Sequence, residues 1–158
     1  MPRTAGLPKE LENRMAARLH VAGQRLTSNR RAVIEVLSSA RQPLTMPEIL
    51  RARQRLAQSS AYRTLTVLEQ AGVVRRVPTE GDFARYELAE DLTEHHHHLL
   101  CANCGAVEDV VVPGRRERSV DDAVTAMAHA RGFEPRSHRL DIVGLCPRCS
   151  KGGRRRRC

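Results

Sequence analysis

Two Cys-x-x-Cys pairs, "CANC" at Cys101 and Cys104 and "CPRC" at Cys146 and Cys149, constrain this chain more than any other feature. Two residues between cysteines let both thiolates of a pair reach one ion from a tight turn, and zinc takes four soft ligands in a tetrahedron. Four thiolates from two such turns close one structural site. The 41 residues between Cys104 and Cys146 exceed the gap of a minimal zinc ribbon, so folded structure has to join the turns. A redox pair or a disulfide framework is the rival reading. Disulfides suit secreted chains, and nothing in this sequence looks secreted. Directly ahead of the first pair stands a run of four histidines, His95 to His98, internal and without a linker, unlike a purification tag.

A chain of 158 residues has room for one ordinary domain or two small ones. Aromatic residues make up 3% and tryptophan is absent, so cores must be built from Leu, Val, Ile and Ala. A metal staple suits a small core of this kind. The formal net charge is +9, nearly all of the positive charge being arginine, whose planar fork matches phosphate. A polyanionic partner is expected. The N-terminus "MPRTAGLPKE" has no apolar signal core, and no stretch approaches membrane-spanning length. The expected location is cytoplasmic, where thiols stay reduced.

Residues 1–85 read as helices followed by a hairpin. "KELENRMAARLHVAG" places Leu11, Met15 and Leu19 on one apolar stripe ending near Gly23, with His20 an exposed or packing residue. A second helix opens at Thr27 as N-cap and buries Val33, Val36 and Leu37. A third begins at "TMPEIL", where Thr45 and Glu48 have capping-box spacing and Pro47 fits the first turn. The fourth, "SSAYRTLTVLEQAGVV", is capped by Ser59 or Ser60 and ends at Gly72. Its stripe of Ala61, Leu65 and Leu68 leaves Tyr62, Arg63 and Thr66 pointing elsewhere. "VVRRVPTEGDFARYEL" then gives two strands around a turn at Glu80, Gly81 and Asp82. Helices and hairpin together form a winged helix-turn-helix, whose fourth helix would enter the major groove. Tyr62, Arg63, Arg75 and Arg76 could be an ordinary solvated face. The coincidence of excess positive charge, a capped helix and a hairpin favours DNA contact.

Beyond Arg85 the pattern changes to short strands around one helix. "HHLLC" and "AVEDVVV" read as strands, "SVDDAVTAMAHARGF" as a helix with Val120, Val124, Met127 and Ala128 on one face, and "SHRLDIVGL" as a last strand. The expected architecture is α+β: a winged helix-turn-helix in residues 1–85, a hinge over 86–94, an α/β domain stapled by the cysteines over 95–150, and a basic tail over 151–158. The tail "KGGRRRRC" is a solubilising end with nonspecific attraction to phosphate, and Cys158 has no assigned role.

The ordered set "RLTSNRRAVIEVL", "SSAYRTLTVLEQAGVVRR", "RYEL", "HHHHLLCANCG" and "SHRLDIVGLCPRC" resembles the ferric uptake regulator family of metal-responsive bacterial repressors, over roughly Gly23 to Cys149. The resemblance implies a winged-helix DNA-binding domain, an α/β dimerisation domain with structural zinc on Cys101, Cys104, Cys146 and Cys149, and a homodimer on a palindromic operator. In an extended strand His95 and His97 face one way and His96 and His98 the other, so one run can feed two metal sites. By the resemblance, Glu87 and Asp109 join His96 and His98 as a sensory site at the hinge. Asp121, with Asp122 beside it as an alternative, and His138 join His95 and His97 as an auxiliary site. On the fourth helix Ser60, Tyr62, Arg63 and Thr66 are the expected DNA contacts, with Arg25 and Arg30 on the backbone. Many family members carry a histidine ligand just before the third helix; here that position is Pro43, so the link between hinge metal and DNA-binding domain is open.

The function implied is a metal-dependent transcriptional repressor, not an enzyme, with zinc or ferrous iron as corepressor. Imidazole and carboxylate donors also suit manganese or nickel, so donor type does not choose the metal. A hydrolase would need an open coordination position and a general base, and no paired acids require one. A peroxide sensor of the same family, or a constitutive DNA-binding module with structural zinc alone, are the other readings.

Overall fold

The computed structural model describes residues 7–79 and 84–151. The expected turn at Glu80, Gly81 and Asp82, and most of the arginine tail with Cys158, lie outside the described residues. The chain opens with α1 (Lys9–Val21), α2 (Ser28–Ser39), α3 (Met46–Ala52) and α4 (Gln58–Gln70). Each buries an apolar stripe. Met15 and Leu19 of α1, Val33, Ile34 and Leu37 of α2, Ile49 of α3 and Leu65 and Leu68 of α4 meet in one core. Ile34 is the buried residue where Val36 was expected; Val36 packs only at the margin of the core. Fully burying such a side chain contributes about 1.5–3 kcal/mol.

Local chemistry explains most of the boundaries. Thr27 caps α2 by accepting from the Arg30 amide at 3.4 Å. Glu48 takes bonds from the Thr45 amide at 2.6 Å and hydroxyl at 2.7 Å, locking the first turn of α3. At α4 the expected cap is displaced: the helix starts at Gln58 with Ala57 as N-cap and no side-chain cap. Leu56, buried in the core, pins the chain three residues before the first of the serines and draws them into the first turn. Gly72, at φ +66°, ends α4 in the left-handed region that a side chain rarely adopts.

A three-stranded antiparallel sheet follows in the order β1 (Leu44–Thr45), β3 (Arg85–Leu88), β2 (Val74–Val77). The short β1 was not legible as a strand. β3 runs through the boundary expected at 85/86, which puts Glu87 on the wing sheet opposite Arg75. A 3-10 turn at Glu90–Leu92 leads out of it, with Leu92 anchored in the helical core.

The second sheet has the order β5 (Val107–Val110), β4 (His97–Cys101), β6 (Asp141–Gly144), antiparallel on one side of β4 and parallel on the other. His98 therefore lies between Asp109 and Asp141, its register partners on the two flanking strands. α5 (Gly114–His129) crosses between the outer strands and α6 (Pro147–Ser150) carries Cys149. α5 starts five residues before the helix read from the sequence, since Pro113 sets its entry. No residue of α5 is buried in the single chain, and Met127, Phe133, Ile142, Val143 and Leu145 are exposed. Among the described residues no helix is long and apolar enough to cross a membrane.

Candidate metal centres and nucleic-acid interface

Among the described residues three groups of donor atoms converge, each within 4.8 Å. The first is Cys101, Cys104, Cys146 and Cys149, from the end of β4, the turn after it, and α6. Cys104 Sγ stands 3.8 Å from Cys146 Sγ, and Cys101 Sγ accepts from the Cys146 amide at 3.3 Å. Thiolates about 2.3 Å from a tetrahedral zinc ion lie about 3.8 Å apart, so the spacing fits zinc. Burial pushes the Cys101 thiol up, but amides of Cys146, Cys104 and Asn103 outweigh it and bring its pKa down to about 6. The Cys146 thiol is also lowered, first by the Cys149 amide, while burial raises Cys149.

The second group is Glu87, His96, His98 and Asp109. Glu87 comes from β3, His98 from β4, His96 from just before it, and Asp109 from β5. His98 Nε2 and His96 Nε2 stand 3.2 and 3.3 Å from the same Glu87 Oε2, and Asp109 Oδ1 lies 3.8 Å from His98 Nε2. Donors sharing an ion at about 2.1 Å are about 3.0–3.4 Å apart. The outer face of each ring is held as well: His98 Nδ1 bonds Asp141 at 3.0 Å and His96 Nδ1 the Glu94 carbonyl at 2.8 Å. Such outer partners fix the tautomer that leaves Nε2 for a metal. Asp109 Oδ1 is buried without a hydrogen-bond partner, as a donor awaiting an ion would be.

Electrostatics in this group are opposed. Burial raises Glu87, but His98 and Arg75 outweigh it and hold the carboxyl below its ordinary range. Burial lowers His98, and bonds to Glu87 and Asp141 carry it above its ordinary value. Burial lifts Asp109. Arg75, one of the residues considered for a basic DNA face, instead pairs with Glu87 Oε1 and approaches Glu90 at 3.9 Å. Its side chain is 13% exposed, so it belongs to the electrostatics of this donor group.

The third group is His95, His97, Glu117 and His138. Here the sequence reading needs a correction. Asp121 was expected among the donors, but Glu117, one helical turn earlier on α5, occupies the centre. It reaches His97 Nε2 at 2.9 Å, His95 Nε2 at 3.0 Å and His138 Nε2 at 3.3 Å. Asp121 bonds the opposite ring nitrogen, His138 Nδ1, at 2.9 Å, and so orients a histidine from outside. The i, i+4 spacing puts both acids on one helix face. Glu117 was missed because the helix was read as starting after it. Glu117 Oε1 and His138 Nε2 are buried without hydrogen-bond partners, and the bond from His97 lowers the Glu117 pKa.

Tyr62, Arg63 and Thr66 are exposed on α4, and Thr66 bonds the Tyr62 carbonyl at 3.1 Å. Arg30, Ser60 and Arg63 line one shallow groove between α2 and α4. Arg25 is exposed beside it, and its carbonyl accepts from Arg30, which also bonds Gln24 at 2.6 Å. Pro43 is fully buried, and its carbonyl accepts from Arg85 at 2.9 Å.

A helical winged half joined to a second sheet, with three donor sets gathered on and around that sheet, is the architecture of a metal-binding regulator of the winged-helix class. The sequence pattern of the ferric uptake regulator family matches residues 21–143. The ferric uptake regulation protein of Legionella pneumophila is 32% identical over 133 residues, 81% of this chain and 93% of that protein. The peroxide operon regulator of Bacillus subtilis is 30% identical over 137 residues, 84% of this chain and 89% of that one. The solved structure of the Helicobacter pylori ferric uptake regulator Fur, a protein with three functional metal binding sites, aligns with a TM-score of 0.66 at 25% identity, covering 95% of this chain and 97% of that chain. The chain belongs to the ferric uptake regulator family, whose members are metal-responsive, DNA-binding transcriptional repressors.

Proposed function

We propose that this protein is a homodimeric, cytoplasmic repressor that grips a palindromic operator when Glu87, His96, His98 and Asp109 hold a divalent corepressor, zinc or ferrous iron. One observation carries the reading: the four donors come from two sheets, Glu87 from the wing and the others from the second sheet or the segment entering it. A dication bound there supplies bonds that neutralise two carboxylates and join the halves. Glu87 presents Oε2 to the site while Arg75 keeps its other oxygen. Asp141 and the Glu94 carbonyl hold the two rings in orientation. Coupling to DNA then follows from differential affinity for the arrangement that fits two half-sites.

His95, His97, Glu117 and His138 form the auxiliary site, and the four cysteines hold structural zinc. The exposed apolar residues of α5 and β6 suit a face covered by a second copy. Ser60, Tyr62, Arg63 and Thr66 read the operator from α4, with Arg25 and Arg30 on phosphates. The likeness to the Bacillus subtilis peroxide operon regulator supports a second reading, in which iron at the same hinge donors exposes His96 or His98 to oxidation by peroxide.

The test is DNA binding measured anaerobically against buffered free zinc and ferrous iron, in the parent, His96→Ala and His95→Ala. The parent should tighten with one of the metals. His96→Ala should lose that response while keeping its cysteine zinc and dimer, and His95→Ala should lose less. Metal-indifferent binding in the parent would leave a constitutive DNA-binding module, and a response lost only in His95→Ala would reverse the two sites.

A further inference from the structure

We propose that Arg85 ties the winged-helix half to the cysteine turn, at the place where Pro43 offers no metal ligand, so that the state of the cysteine site reaches α3. Arg85 is 7% exposed and bonds three partners far apart in the chain. Its Nε donates to the Gly105 carbonyl at 3.0 Å, and its Nη1 donates to the Pro43 carbonyl at 2.9 Å and to Glu48 Oε2 at 3.3 Å. Pro43 and Glu48 belong to the entry of α3. Gly105 belongs to the turn that presents Cys101 and Cys104.

Both ends of the tie are rigid. Gly105 sits at φ +67°, and its amide bonds the Cys101 carbonyl at 2.9 Å, so the carbonyl that Arg85 holds is fixed by the cysteine turn. Glu48, at the other end, locks the first turn of α3 through the Thr45 amide and hydroxyl. Between them lies a planar fork whose donors keep fixed relative directions, which a lysine ammonium lacks. A buried guanidinium that loses one acceptor leaves a donor unpaired, so a shift at either end is felt at the other. Arg85 is also two residues from Glu87 on β3, hence on the same face of the wing sheet. The face that offers a carboxylate to the hinge donors thus also holds the cysteine turn.

This proposal rests on the reading of the four cysteines as a zinc site. The test is amide hydrogen exchange on the zinc-loaded protein and on the same protein after chelation under reducing conditions, with metal content and association state measured alongside, since loss of this zinc should also release the dimer. It follows residues 45–52, with residues 58–70 of α4 as the internal control. In the parent, zinc removal should speed exchange at 45–52 about tenfold, as for the loss of one charge-assisted bond, and leave α4 unchanged. In Arg85→Met, exchange at 45–52 should already be fast and no longer respond to zinc. Arg85→Lys makes the same comparison with charge and length kept, and should behave like the methionine variant; it serves alone where the methionine variant does not fold. The proposal fails if the parent loses its zinc with no change at 45–52, or if the lysine variant responds as the parent does. Cysteines that bind no zinc would refute the zinc site itself, and metal content separates that result from a zinc site that is present but uncoupled. DNA affinity plays no part in the readout, so a failure of the repressor reading is a separate result.

Discussion

Glu117 and Asp121 lie on one face of α5 within reach of the same histidine, yet their removal should differ by at least an order of magnitude. Asp121 touches His138 Nδ1, and its side chain is 57% exposed. A single negative charge about 6.5 Å from a dication, across an imidazole ring and in a water-like dielectric, contributes about 1.3 kcal/mol, close to tenfold in affinity. Asp121→Asn should therefore weaken the auxiliary site about tenfold, the lower end of what outer partners of metal ligands cost. Glu117 is 16% exposed and stands within 3.3 Å of three ring nitrogens. Glu117→Gln removes a central anionic donor, so its cost should exceed about a hundredfold. Zinc competition against a chromophoric chelator measures both variants, on protein whose cysteine zinc is confirmed by stoichiometry. Equal losses in the two variants, or a larger loss in Asp121→Asn, would refute the placement of Glu117 at the centre.

Cys101→Ser should release the structural zinc and yield monomer or aggregate by sedimentation; full zinc content in a normal dimer would exclude this site. Arg63→Ala should cost about 1–3 kcal/mol of operator discrimination if it pairs with a base, whereas Arg25→Ala should mainly flatten the salt dependence. Unchanged selectivity in Arg63→Ala would move the recognition surface elsewhere. Burial raises the Glu48 carboxyl, but Thr45 and Arg85 outweigh it and hold its pKa below 4.5. A lowered folded pKa stabilises above the unfolded value and is lost as pH falls through the folded one. The stability gap between parent and Glu48→Gln should therefore be full above pH 4.5 and close on further acidification. A gap that widens in acid would contradict the assigned charge state.

Periodicity and capping signals were enough to find the four helices of the winged half, because their cores are built from stripes such as Met15–Leu19, at i, i+4, and Leu65–Leu68, at i, i+3. Alternation divides the histidine run into the two pairs the structure shows, although β4 begins only at His97 and His95 and His96 stand ahead of it. Two boundaries were less legible. The start of α4 depends on Leu56, whose burial is a tertiary fact, and the start of α5 on Pro113, where a proline reads equally as loop or helix entry. The second error had a chemical consequence, hiding Glu117 in an expected loop and promoting Asp121. The tie through Arg85 could not be read at all: two of its three partners are backbone carbonyls, which carry no residue identity.

The position of β4 between an antiparallel and a parallel neighbour also bears on synthesis. The hinge donors are complete once Asp109 has been added, whereas His138, Asp141, Cys146 and Cys149 follow only after α5. Winged domains that lie first in a chain tend to fold first on the ribosome. A nascent chain at that stage holds four histidines and two thiols on and beside a strand, β4, whose parallel edge has no partner. Truncation ahead of Asp141 would leave that edge without its parallel partner.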